Sequence, residues 1–190
     1  MSELIDQIER ATGITANVVA AVKPDQLDDP TPCTEWTVRD LLNHLIDTAE
    51  LIASAGEGKG SAFNPMVRPD NVIGADPQGA YDAARTKLLT VWRERGTDGT
   101  VPLMQSQTPA AIALTVCMCD QLQHGWDLAR AIGQDFEPDD DLITTAEDFT
   151  HQNMTADRRG PGKPFGYAIE PPPGASRVDQ LAAFMGRHLE

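Results

Sequence analysis

Two residues in the C-terminal half of the chain have a spacing that suits metal coordination. In the segment CDQLQHGWDLAR, Asp120 and His124 are four residues apart, which places them on one face of a helix. A carboxylate oxygen and an imidazole nitrogen at this spacing suit a divalent metal such as Zn, Ni or Fe(II). A third ligand from a facing helix would leave open positions, and His44 is the natural candidate. An ordinary intrahelical ion pair fits the same spacing.

Other residues near these three carry weaker signals. Asp127 lies three residues after His124, so it either orients the imidazole or pairs with Arg130 at the surface. Trp36 directly precedes the helix of His44 and is expected to anchor the loop before that helix against the core. Cys33 is expected to be a small buried thiol in a turn, because no base is near it in the sequence.

Apolar periodicity predicts the long helices that position these residues. The predicted helices run from Ser2 to the residues before Pro24, from Thr37 to about Ser54, from Asp76 to about Gly96 and from Thr108 to about Gly133. Thr37 and Asp40 form a Thr-x-x-Asp capping box at the second of them. Four helices with little strand signal predict an all-α four-helix bundle, most simply up-and-down with one or more longer crossovers. Residues 99–104 are a candidate short strand.

The remaining segments connect or extend this bundle. Residues 55–75 are rich in Gly, Pro and Asn and are predicted to be a long loop, which often borders a site. A fifth helix is predicted from about 139 to 157, and a short last helix from 178 to 188, with a Pro/Gly-rich closing segment between them. We expect one domain over residues 1–190, with a bundle core of about 1–134 and additions over 135–190.

Composition and charge exclude several function classes. The chain has 29 acidic and 15 basic residues and a net charge of −14, which argues against a nucleic-acid binder and against anionic membrane surfaces as partners. Apolar runs are too short to span a bilayer. The N-terminus lacks the basic start and apolar stretch of a secretory signal, and three cysteines without a CxxC pair indicate a reducing compartment. We therefore expect a cytoplasmic protein.

Two motifs in this order, TPCTEWTVRDLLNHL and then DQLQHGWDLARAIGQ, resemble the actinobacterial metal-binding branch of the DinB-like superfamily. That branch is related to the N-terminal domain of mycothiol-dependent maleylpyruvate isomerase. The resemblance implies a DinB-like four-helix bundle that holds a divalent metal, zinc first, with nickel or iron as alternatives. His44 matches the histidine that the family supplies from its second helix. Asp120 and His124 match the pair from a later helix, although relatives carry Glu or His where this chain carries Asp120.

The same resemblance implies an activity. Relatives include transferases and isomerases that use mycothiol or a similar thiol, which implies a metal-dependent S-transferase that joins a small thiol to a small-molecule electrophile. The isomerase has a further C-terminal α/β domain, which the residues after Pro138 do not match, so its substrate is not carried over. A non-catalytic metal-binding bundle that acts as a sensor or stress-associated binding protein is the alternative. A purely structural bundle and a homodimer also stay open at this point.

Overall fold

The computed structural model describes residues 2–60, 72–161, 163 and 165–189. Its long helices are α1 (Glu3–Ala21), α2 (Val38–Gly56), α3 (Pro77–Arg95) and α4 (Ala110–Ile132), followed by α5 (Asp140–Asn153) and α6 (Arg177–Phe184). An antiparallel hairpin of β1 (Thr100–Leu103) and β2 (Ser106–Pro109) connects α3 to α4. Single turns of 3₁₀ helix lie at Pro24–Gln26 and Ala156–Arg158. The all-α bundle predicted from the sequence is confirmed.

Two of the predicted helix starts, at Thr37 and Asp76, carry a side-chain cap, whereas Ser2 before α1 makes no side-chain cap hydrogen bond. The Thr37 side chain accepts a hydrogen bond from the Asp40 backbone N–H, and the Thr37 N–H donates to Asp40 Oδ2 at 3.0 Å, so the capping box is present. Asp76 caps α3 in the same way, by accepting from the Gly79 N–H. α4 ends at Ile132, and the following Gly133 has a left-handed backbone (φ 71°), which glycine adopts without strain.

Some predicted boundaries are wrong, each for a local reason. The fifth helix ends at Asn153 rather than near residue 157, because the chain there turns into the separate 3₁₀ helix. The last helix ends at Phe184, and Gly186 (φ 89°) turns the chain away from the helix axis. The fourth helix starts at Ala110, since the residues just before it pair with β1, the strand expected in 99–104.

The helices pack so that α2 faces α4. α1 packs against α3 and α4, and α2 packs against the same two helices, which places α1 diagonally opposite α2 and α3 diagonally opposite α4. The connections α1–α2 and α3–α4 therefore cross the bundle ends, as expected for crossover connections. The predicted apolar stripe of α2 is buried, with Leu41, Leu42 and Leu45 at zero exposure. His44 lies on this helix and points at α4, because its Nε2 is 2.9 Å from Oδ1 of Asp120 on α4.

Two connecting segments fall partly outside the described residues. In the predicted loop 55–75, α2 extends to Gly56, and residues 61–71 are not described. At the end of this loop Ile73 is buried, and its N–H donates to Asn43 Oδ1 at 3.0 Å, which fixes the chain beside the helix turn of His44. In the Pro/Gly-rich connector, residues 162 and 164 are not described. Across the described helices, none combines the length and the apolar character that crossing a membrane requires.

Candidate metal centre

Three sequence-predicted ligands meet between α2 and α4. His44, Asp120 and His124 each offer a ligand atom, and these atoms lie within 4.8 Å of one another. His44 Nε2 is 2.9 Å from Asp120 Oδ1, and His124 Nε2 is 3.7 Å from the same oxygen. The His44 ring is only 2% exposed, and its plane stands edge-on to the His124 ring. Helix packing thus brings the distant histidine to the pair that the sequence placed on one face of α4.

The chemistry of this donor set fits a divalent cation. Ligand atoms around a tetrahedral zinc ion are separated by about 3.3 Å, given metal–ligand bonds of about 2.0–2.1 Å. The two measured separations from Asp120 Oδ1 lie on either side of that value. Asp120 Oδ2 is buried and has no hydrogen-bond partner in the part of the chain that the structure describes. A buried carboxylate oxygen without a donor is costly unless something positive occupies its free side.

A hydrogen bond on the far side of His124 orients this ring. His124 Nδ1 lies 3.0 Å from Oδ2 of Asp127, whose side chain has zero exposure. Because an ionised carboxylate only accepts, this contact assigns a proton to Nδ1, and a neutral ring then has its lone pair on Nε2, 3.7 Å from Asp120 Oδ1. A carboxylate behind a metal-binding imidazole fixes its tautomer and orientation. Of the two roles open to Asp127, the structure shows the contact with His124, and Arg130 pairs with Asp179 instead.

The second partner of Asp127 comes from the end of the chain. Arg187 donates to both carboxylate oxygens of Asp127, from Nε at 3.0 Å and from Nη2 at 2.8 Å. Burial raises the pKa of Asp127, but the charge and hydrogen bonds of Arg187 and the hydrogen bond from His124 outweigh it and hold that pKa below its usual value. In the same way, burial raises the pKa of Asp120, and the neighbouring His44 and His124 rings bring it below its usual value.

Trp36 forms one wall of the site. Its ring contacts His44 edge-on, with centroids 4.6 Å apart, and lies parallel to His124 at 5.7 Å. The Thr31 hydroxyl holds the loop by donating to the Trp36 carbonyl at 2.8 Å. The expectation that Trp36 anchors this loop is therefore incomplete, because the indole also covers both histidine rings. His44 Nδ1, which is buried, has no hydrogen-bond partner among the described residues.

Cys33 lies next to His124 and Asp127. Its sulfur, one His124 nitrogen and one Asp127 oxygen are within 4.8 Å of one another, so these residues form a second potential ligand group. Both oxygens of Asp127 already accept from Arg187, which disfavours a cation there. Burial raises the pKa of Cys33 to about 11, although the Arg187 charge opposes this, so the group is a neutral thiol near pH 7. The expected thiol in a turn is thus next to the site.

A separate cleft lies beside the site without reaching it. This cavity of about 400 Å³ is bordered by the end of α4, the start of α5 and the start of α6. It includes Trp126, Arg130 and Asp179 but none of the residues of the candidate metal centre. Trp126 itself is 2% exposed and packs in the hydrophobic core.

Comparison with known proteins identifies the family. The family model of the mycothiol maleylpyruvate isomerase N-terminal domain matches residues 8–129, which is more than half of the chain. The chain belongs to this family. The match includes His44, Asp120, His124 and Asp127, whereas Arg187 lies beyond it.

Two relatives and two solved structures are similar to this chain in sequence or in fold. Two uncharacterized proteins of Mycobacterium tuberculosis, from different strains, are each 34% identical over 180 residues, which is 94% of this chain and 94% of theirs. A histidine-to-alanine mutant of the mycothiol-dependent maleylpyruvate isomerase shares the fold, with a TM-score of 0.65 and 16% identity, over 84% of this chain and 73% of that one. Another crystal structure of the isomerase gives a TM-score of 0.56 and 16% identity over 75% and 66%.

Proposed function

We propose that this protein holds a divalent cation, zinc first, with His44, Asp120 and His124, and uses it to activate a small thiol of the mycothiol type for transfer to an electrophile. The observation that carries the proposal is the convergence of these three side chains within 4.8 Å, with an unpartnered buried oxygen on Asp120. Two imidazoles and one carboxylate leave open positions on a cation, which is the arrangement of catalytic rather than closed structural sites.

The choice of a thiol rests on the relatives. The matching family is that of the mycothiol maleylpyruvate isomerase N-terminal domain, and the matching crystal structures are of the mycothiol-dependent isomerase. The fold of those structures is shared over most of this chain. A divalent cation at this site would lower the pKa of a thiol that binds to it, so that the thiolate is present near neutral pH. In the reaction the sulfur forms a bond to carbon of the electrophile, the leaving group departs with its electron pair, and the thiol proton goes to solvent.

The charges around the site favour an anionic ligand. A divalent cation together with Asp120, Asp127 and Arg187 would give the centre a net positive charge, since the two carboxylates are opposed by the guanidinium. Trp36 limits access of water from one side, because its ring covers both histidines. His124 contributes through a fixed ring, because Asp127 holds its Nδ1 proton.

Metal content tests the first half of the proposal. Protein purified without an affinity tag or chelator should contain about one divalent ion per chain by elemental analysis. The variants His44→Ala, Asp120→Ala and His124→Ala should each lose it, while circular dichroism shows that they retain the helical fold. Wild-type protein that purifies without metal and takes up neither Zn²⁺ nor Ni²⁺ would refute the metal centre.

Thiol turnover tests the second half. Mycothiol and chlorodinitrobenzene should give the aryl thioether and chloride at a rate proportional to the concentration of metal-loaded protein. Glutathione in place of mycothiol should react more slowly. His44→Ala protein serves as the control for the uncatalysed reaction. Bound metal without thiol-dependent turnover for any thiol would reject the transferase and favour a metal-binding protein without catalysis.

A further inference from the structure

Arg187 reaches the candidate metal centre from a segment that follows α6. Its side chain is 14% exposed, and its Nη1 donates to the Met185 carbonyl at 3.1 Å while Nε and Nη2 bind the two oxygens of Asp127. Two parallel hydrogen bonds from one guanidinium to one carboxylate fix both position and orientation of the carboxylate. Arg187 therefore determines how Asp127 is presented to His124.

The same Asp127 oxygen serves both neighbours. Oδ2 accepts from Arg187 Nη2 at 2.8 Å and from His124 Nδ1 at 3.0 Å. Gln123 Nε2 is 3.4 Å from Oδ1, a long contact that does not replace a charged donor. An ionised carboxylate with zero exposure is stable only when charged or multiple donors satisfy it. Without Arg187 the carboxylate would lose two of these donors and its fixed orientation.

The turn at the end of α6 aims Arg187 at this carboxylate. The Gly186 N–H donates to the Ala183 carbonyl and the Arg187 N–H donates to the Ala182 carbonyl, which is the hydrogen-bond pattern of a Schellman motif. Gly186 has φ 89°, and a Cβ there would lie 3.1 Å from the Tyr167 carbonyl oxygen. The direction of the Arg187 side chain thus depends on a glycine that the turn requires.

α6 itself is attached to α4 beside the site. Asp179 accepts from Trp126 Nε1 at 2.9 Å and from Arg130 Nη2 at 2.7 Å, and Leu181 is buried against the bundle. Trp126 and Arg130 flank Asp127 along α4. The C-terminal segment is consequently held against the helix that carries His124.

We infer that Arg187 is a positioning residue of the metal centre, and that the C-terminal segment 177–189 completes a site whose other residues lie within the matched family domain. The inference rests on the proposed function for the metal itself. Arg187 acts through Asp127, which holds the His124 ring with Nε2 directed at the cation position. Outer partners of this kind alter metal affinity by about 10- to 100-fold when removed.

Metal affinity of Arg187 variants tests the inference. Zn²⁺ affinity is measured by competition with a chromophoric chelator, and the visible spectrum of Co²⁺-loaded protein reports ligand geometry. Arg187→Gln should weaken Zn²⁺ binding about 10- to 100-fold and change the Co²⁺ spectrum. Arg187→Lys keeps the charge but lacks the planar guanidinium, so its Zn²⁺ affinity should lie between those of Arg187→Gln and wild type. It also provides the test if the glutamine variant does not fold.

Arg130→Gln is the matched control, because it breaks the Arg130–Asp179 pair on the same interface without touching Asp127. It should change Zn²⁺ affinity less than about twofold, since exposed ion pairs contribute little. Wild-type affinity in Arg187→Gln would overturn the inference. An equal loss in Arg130→Gln would also overturn it, because the effect would then belong to docking of α6.

A measurement on metal-free protein separates this inference from the proposed function. ¹⁵N NMR of the histidine rings should show His124 as the Nδ1–H tautomer in the wild type, with a second tautomer appearing in Arg187→Gln. If wild-type protein binds no metal, the proposed function fails, while the tautomer change still decides the role of Arg187. An unchanged tautomer in the variant would refute the positioning role.

Discussion

Replacing His44 by alanine should remove most of the stabilisation that metal gives to the protein. His44 is 2% exposed on α2 and is the one proposed ligand that does not lie on α4. Its removal leaves two ligands on a single helix and opens one side of the site to water. The variant is also expected to be less stable without metal, by about 1–3 kcal/mol, because Asp120 Oδ1 loses the donor at 2.9 Å. Each variant must therefore be compared with its own metal-free form.

The expected size follows from linkage. A ligand that binds only the folded state at 100 times its Kd adds about 2.7 kcal/mol to the free energy of unfolding. For a domain of 190 residues, 1 kcal/mol shifts Tm by about 2–4 °C, so Zn²⁺ at this level should raise the wild-type Tm by about 5–11 °C. If His44→Ala weakens binding by about 100-fold, the same Zn²⁺ concentration contributes about 0.4 kcal/mol and shifts Tm by about 1–2 °C.

The assay is thermal unfolding followed by circular dichroism, with and without Zn²⁺ at 100 times the measured wild-type Kd. His151→Ala is the matched control, since His151 is an exposed histidine on α5 that contacts Phe184 and belongs to neither potential ligand group. It should retain the full wild-type shift. A wild-type shift in His44→Ala would show that the histidine is not a ligand, and loss of the shift in His151→Ala would show that Zn²⁺ acts elsewhere.

Three further outcomes follow from the contacts. Cys33→Ser should still bind one Zn²⁺ per chain with an affinity close to wild type, measured by chelator competition. The reason is that Arg187 occupies both Asp127 oxygens, which a metal site formed by Cys33, His124 and Asp127 would need. Loss of metal in this variant would assign the cation to that second ligand group. Gly125→Ala should lower the free energy of unfolding, measured in urea, by about 1–3 kcal/mol, since the new Cβ would lie 2.6 Å from Thr15 Oγ1. Adding Thr15→Ala should recover part of this loss. Unchanged stability in Gly125→Ala would contradict the packing of α1 against α4. Hydrogen bonds from Arg10 lower the pKa of Asp141 to about 2. Because both side chains are about half-exposed, the free energy of unfolding of wild type should exceed that of Asp141→Asn by less than about 1 kcal/mol above pH 4, and this difference should disappear as the pH falls towards 2. A difference that grows as the pH falls would reject the ion pair.

The capped helix ends and one face of the site were predictable because both depend on residues close together in the chain. The capping box at Thr37 and the glycine at Gly133 set helix ends through hydrogen bonds and dihedral angles of a few residues. Asp120 and His124 share a face because a helix turns once in about 3.6 residues. His44 was a candidate third ligand that the family resemblance supported, and the packing of α2 against α4 brings its Nε2 to 2.9 Å from Asp120 Oδ1.

The rest of the site was decided by tertiary structure. Arg187 binds Asp127 across 60 residues, and no local spacing signals that contact. Trp36 and Cys33 precede α2 in a loop whose turn, fixed by Thr31, lays them against His124 on a different helix. Contacts of this kind depend on how whole helices pack and where the chain returns, whereas amphipathic spacing and caps depend only on neighbouring residues. The sequence alone thus determined which residues could bind a metal, and the fold decided which residues surround and orient them.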